Sequence, residues 1–163
     1  MKEDELIKVD QPIRAVIEEI YIAIEGGAAM QRLEQVQALV HRGLQGDRYC
    51  ERRGHWSGID ECQVTLIEEE YIEEIAATTV LRVRNGEHRR NLITRHIRLE
   101  TLVGKQFQVG KAIFEYDRPR PPCGYVQSIT ERGLTKALMG RSGICARVVK
   151  SGLLRGKDPI VVL

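Results

Sequence analysis

Short apolar runs rich in β-branched residues, broken again and again by glycine, leave this chain little choice but a β-rich architecture. Residues 13–17, 20–24, 36–40, 107–109, 112–116, 146–149 and 160–163 read as strands. Between them stand turn signals at Gly26-Gly27, at 43–46, at Val109-Gly110-Lys111 and at 152–158. Residues 33–40 fit both a helical face and a strand, and alternation at Val36, Ala38 and Val40 favours the strand. One helix is expected after Thr65-Leu-Ile-Glu68, a capping-box pattern, because Ile67, Tyr71, Ile72, Ile75 and Ala76 share a face. Its other face carries Glu68, Glu69, Glu70, Glu73 and Glu74, and reads as solvated. A shorter helix is expected over 130–139, stopping at Gly140. Many short strands with one or two helices define a β-rich α+β domain, barrel-like in outline.

The 163 residues suffice for one such domain and its core. Residues 1–11 read as an N-terminal tail and 12–163 as the domain. With 25 basic against 23 acidic residues, net charge is only +2, so no global field draws the protein to nucleic acid or to an anionic membrane. No segment approaches the roughly 18 consecutive apolar residues that span a bilayer, and the expected location is the cytoplasm. In that compartment Cys50, Cys62, Cys123 and Cys145 read as free thiols. Cys50, His55 and Cys62 fit no standard zinc spacing.

Chemistry concentrates in three clusters. In Gly43-Leu-Gln-Gly-Asp47-Arg48-Tyr49 two glycines permit a tight turn, and Asp47 can aim the Arg48 fork at a carboxylate or phosphate. In the second, residues 87–96 with Arg82, Arg84 and Arg98 nearby, a strand over 90–97 would put Arg90, Leu92, Thr94 and His96 on one side and Asn91, Ile93, Arg95 and Ile97 on the other. That suits an anionic ligand with a ring, and equally a charged edge strand. Nucleic acid is disfavoured because the span lacks interleaved aromatics. The third, Asp117-Arg-Pro-Arg-Pro-Pro-Cys123-Gly124, holds three of five prolines. Prolines restrict the loop, while Arg118 and Arg120 favour thiolate if they point at the sulfur. A Cys-His pair with His41, His55, His88 or His96 stays open, His96 having the best claim.

Taken in order, Gly43–Tyr49, Arg-Arg-Asn-Leu-Ile-Thr at 89–94, Leu102-Val-Gly104, Phe107-Gln-Val-Gly110, Arg-Pro-Arg-Pro-Pro-Cys at 118–123, and the tail from Gly140 resemble the MOSC domain family, named after the C-terminal part of molybdenum cofactor sulfurases. The resemblance runs from about Pro12 to the C-terminus. It implies a β-rich barrel-like fold and a molybdenum cofactor of the molybdopterin type. It also implies a cysteine, here Cys123, that carries persulfide sulfur or ligates the metal. Arg90 and Asn91 would then lie near the pterin cofactor, with Thr94 helping. Chemistry alone adds Arg48, Arg118 and Arg120 as partners for phosphate or oxo groups.

The functions this implies are cofactor binding or sulfur carrying, with two alternatives. One is a molybdenum-dependent reductase of N-hydroxylated compounds, and the other a non-catalytic carrier. Some relatives have a second cysteine where Arg120 stands, so no disulfide relay is expected within the loop. Larger relatives add desulfurase, β or ferredoxin-like domains that these residues do not match. The partners implied are therefore a cysteine desulfurase or an electron-transfer protein.

Overall fold

The computed structural model describes residues 12–163; the expected tail at 1–11 lies outside them. Two sheets carry the architecture. The strands are β1 (Val16–Ile22), β2 (Gln31–Leu33), β3 (Gln35–Leu39), β4 (Gly43–Leu44), β5 (Val64–Glu68), β6 (Leu92–Arg95), β7 (Gln106–Val109), β8 (Ala112–Pro119), β9 (Ile144–Lys150), β10 (Gly152–Arg155) and β11 (Ile160–Val162). Eight form a sheet in the order β11-β7-β8-β9-β5-β6-β1-β2, and β10-β3-β4 form a smaller one. Helix α1 (Glu69–Thr78) is the crossover between β5 and β6, the parallel pair; α2 (Gly124–Ser128) and α3 (Leu134–Leu138) lie between β8 and β9.

The larger sheet curls towards closure without a continuous ladder around it. Val16 bridges Pro159, the Ile17 amide donates to the Asp158 carbonyl at 2.9 Å, and the Ile160 amide donates to the Ala15 carbonyl at 2.8 Å. Alternation on β5 and β6 then divides the interior. Val64, Leu66 and Leu92 face a core with Phe107 and Phe114, while Ile67 and Ile93 face α1 and α3 through Ile72, Ile75, Leu134 and Leu138. Both central strands are covered on both faces, as parallel pairing requires.

Several expectations change. Thr65–Glu68 lies within the strand β5, and α1 starts at Glu69 with no side-chain cap. The ladders to β9 and β6 claim those backbone groups first. The two strands expected at 13–17 and 20–24 are replaced by the single strand β1 over Val16–Ile22, with an irregularity between Ile17 and Glu19. The span 152–158, read as a turn, contains β10, because β3 offers it a partner. The stretch 90–97 is no charged edge: only Leu92–Arg95 is strand, and it lies between β5 and β1.

The glutamate face of α1 is not simply solvated. Glu69 is buried, Glu73 pairs with Arg95 at 2.7 Å, and Glu74 pairs with Arg141 at 2.8 Å. The thiol inventory is corrected as well. Cys62 and Cys145 form a disulfide, and only Cys50 and Cys123 are free. Sequence could not show that pairing, because the two residues are 83 positions apart and meet only once β5 lies beside β9.

Candidate active site

The three clusters converge through buried polar groups. Asp47, fully buried, accepts from the Ala23 amide at 3.1 Å, from Arg48 Nη1 at 3.1 Å and from Asn91 Nδ2 at 3.2 Å. Asn91 also donates to the Tyr21 carbonyl at 3.0 Å, and its Oδ1 accepts from the Thr65 amide at 3.0 Å. A buried carboxylate and amide are tolerable because every polar atom is paired. One network thus ties the Gly-Asp turn to β5 and to the strand entering β6.

Adjacent arginines have different tasks. Arg90, 4% exposed, donates through Nε to the Ser142 carbonyl at 2.7 Å and through Nη2 to Ser142 Oγ at 2.7 Å and the Arg120 carbonyl at 3.2 Å. It therefore staples the proline loop to the turn before β9. Arg89 sits in the left-handed region at φ 65°, which breaks strand alternation and lets both arginines reach the site. One Arg89 nitrogen donates to the Ala28 carbonyl. His88 is neutral, since burial first and then the charges of Arg90 and Arg89 hold its pKa down to about 3; its Nδ1 accepts from the Arg90 amide at 2.9 Å.

These elements enclose a cavity of about 400 Å³, lined by Cys123, by Arg48, Arg89, Arg90, Arg118 and Arg120, by Trp56 and Tyr125, and by Asp60 among others. Five guanidinium groups face one carboxylate there. Burial first, and then Arg48, lowers the Arg89 pKa to about 10; burial first, and then Arg120 and Arg48, lowers that of Arg90 to about 9. Burial is the larger cause of both shifts, and neither guanidinium has a carboxylate ion-pair partner among the described residues, so an anion in the cavity would find their charge unopposed.

Cys123 stands half-buried at the entry to α2, after Pro121 and Pro122. Arg118 and Arg120 line the cavity but do not turn their paired nitrogens to the sulfur. Arg118 donates to Asp60 Oδ1 at 2.5 Å and to Asp117 at 2.8 Å, and Arg120 donates to Asp60 Oδ2 at 2.8 Å. Asn91 and Thr94 line no part of this cavity: the Asn91 amide is used within the network, and the Thr94 hydroxyl donates to the Ile67 carbonyl at 3.4 Å. None of the four histidines lines it either, and His96, exposed, borders a different hollow with Glu70 and Tyr71. His55 stacks on Tyr125 with ring centroids 3.7 Å apart.

Sequence reading missed Asp60, Trp56 and Tyr125 as wall residues. Asp60 lies 58 positions before Arg118 in a loop without a motif, so only folding reveals the pairing. Tyr125 was within reach of inspection, two residues past Cys123. Among the described residues no group of three or more His, Cys, Asp or Glu side chains could hold a metal ion. A metal ligand here would be the lone Cys123 thiol. No helix among them is long and apolar enough to cross a membrane.

Comparison with known proteins agrees with this fold. The chain superposes on YuaD from Bacillus subtilis with a TM-score of 0.74 at 18% identity, covering 92% of this chain and 96% of that one. For YiiM from Geobacillus stearothermophilus the TM-score is 0.71 at 16% identity, covering 91% and 75%. For YiiM from Escherichia coli it is 0.65 at 18% identity, covering 93% and 70%. No curated protein sequence matches the chain. The MOSC domain profile matches residues 53–161, which include α1, the paired arginines, the proline loop and Cys123, and the chain belongs to the MOSC domain family.

Proposed function

We propose that this protein binds an anionic pterin-phosphate cofactor of the molybdenum type, with Cys123 as the thiolate ligand to its metal. The observation that carries the reading is the placement of the free thiol Cys123 in one cavity with Arg48, Arg89, Arg90, Arg118 and Arg120. The residues present fit such a group: a soft sulfur donor for the metal, guanidinium forks for phosphate and oxo groups, and aromatic walls for a flat ring. Family membership supports the same cofactor. Bound there, the group supplies a redox-active metal.

The chain's own share of the work is positional. Arg90 and Ser142 fix the loop that presents Cys123. Arg48, held by Asp47 at 3.1 Å, and Arg89 provide the cationic floor. Trp56 and Tyr125 supply the aromatic part of the wall.

A second reading, a persulfide carrier, draws on the isolation of Cys123 in its loop, where Arg120 stands in place of a second thiol and Cys50 lies outside the cavity lining. Such a carrier would take its sulfur from a cysteine desulfurase and pass it on. Protein purified from a host that makes the cofactor should carry molybdenum and releasable pterin, and Cys123→Ser should lose the metal while keeping part of the pterin. Wild-type protein free of both after anaerobic loading would overturn cofactor binding. A gain of one sulfur mass at Cys123 with a desulfurase would then select the carrier. Turnover of N-hydroxylated amidines with an added electron donor would identify a reductase.

A further inference from the structure

We propose that the Cys62–Cys145 disulfide is a redox-sensitive latch that holds residues 50–61 across the cationic cavity, and that reduction by a dithiol releases this segment. Between Tyr49 and Cys62 the chain forms turns and no strand, yet it delivers Trp56 and Asp60 to the cavity wall. Cys62 closes the segment and is bonded to Cys145, the second residue of β9. The other ties of the segment are non-covalent, among them Arg52–Glu61 at 3.5 Å, the Gly26 amide on the Arg53 carbonyl at 2.8 Å and the His55–Tyr125 stack. Asp60, its side chain 50% exposed, pairs with the partly exposed Arg118 and with Arg120, whose side chain is 11% exposed, and solvent on the carboxylate weakens both pairs. The Glu61 carbonyl accepts from Arg118 at 3.0 Å, and Gln63 Oε1 accepts from the Val148 amide at 2.9 Å. The disulfide is the covalent tie that joins this end of the segment directly to β9.

The latch changes what the cavity offers. While it holds, Asp60 is the anion on Arg118 and Arg120, and an incoming anion meets mainly Arg48, Arg89 and Arg90. Once it opens, Asp60 can withdraw, and two more guanidinium groups turn to the ligand. The chemistry balances with a dithiol reductant. Its thiolate attacks one sulfur, the Cys62–Cys145 bond breaks as a mixed disulfide forms, and the second thiol displaces that bond. The dithiol leaves as its own disulfide, and the two cysteines take up two electrons and two protons as thiols. Both are buried, Cys62 at 2% and Cys145 at 0% exposure, so attack awaits a local opening of the segment. Disulfides that occur in reducing compartments are usually of this transient, sensing kind.

The test needs no cofactor, so it succeeds or fails independently of the function proposed above. Alkylation of unfolded, unreduced protein should give two adducts, at Cys50 and Cys123, and four after dithiothreitol. On the native protein, dithiothreitol should speed tryptic cleavage at the exposed Arg52 and Arg53 by about tenfold, as local opening predicts. It should also shift the emission of Trp56, the chain's single tryptophan, to longer wavelength, and tighten binding of inorganic phosphate. Asp60→Asn, which keeps the disulfide, should tighten phosphate binding without reductant. Four adducts without reductant overturn the proposal. So do unchanged cleavage and emission after reduction, loss of far-ultraviolet circular dichroism on reduction, or an Asp60→Asn protein with wild-type phosphate affinity.

Discussion

Asn91 shows how a residue can stand beside a cavity-lining arginine without itself lining the cavity. Its amide satisfies Asp47 and the Tyr21 carbonyl on one side and Thr65 on the other, all out of water. Asn91→Ala should lower unfolding free energy by about 2–4 kcal/mol in urea titration, because it takes the shared acceptor from the buried Thr65 amide and hydroxyl and one of several donors from Asp47. Asp47→Asn in the same background should add to that loss, because it removes the buried counter-charge that Arg48 meets at 3.1 Å. Sequence marked Arg90 and Asn91 as neighbours of a ligand but could not divide labour between Arg89 and Arg90. Period-two alternation puts adjacent residues on opposite sides, and only the left-handed backbone at Arg89 brings both to one cavity.

The proline strap and the turn before β9 act as one element. Gly143 has φ 88°, its carbonyl accepts the Arg120 amide at 2.9 Å, and a Cβ placed on it would overlap the Leu66 carbonyl. Gly143→Ala should therefore cost about 2–4 kcal/mol in the same titration, from strain and displaced backbone. It should also weaken phosphate binding, since Ser142 would no longer hold Arg90. The strap itself was legible: three prolines in five residues announce a stiff connection. The capping-box reading at Thr65 failed because a local preference worth about 1 kcal/mol competes with strand ladders on both sides.

Stability against pH is a property of the whole molecule, and two buried groups pull it in opposite directions. Glu69 is pushed up to about 7, by burial first, then by Glu19, with Glu73 and Glu18 adding and Arg95 opposing. Its folded pKa exceeds the unfolded value, so its contribution is complete below about 4.5 and is lost as pH rises through about 7. Glu69→Gln should thus stabilise the protein by about 1–3 kcal/mol at pH 8 and by nothing measurable near pH 4.5. His88 works the other way: its depressed pKa gives stability that is complete above 6.5 and is lost as pH falls towards about 3. Urea titrations of wild type and both His88→Gln and Glu69→Gln variants across this range separate the two.

By itself the sequence determined a β-rich domain with a helix after residue 65, a cationic stretch at 89–90 and a rigid loop presenting Cys123. These follow from local quantities: side-chain periodicity, backbone restriction and charge. Only the tertiary structure decided which arginines line the cavity, that Asp60 occupies two of them, that Asn91 is a buried joint, and that Cys62 and Cys145 are joined. Each of those pairings spans tens of residues, and its partners are chosen by strand order in the sheet, which local preference does not encode.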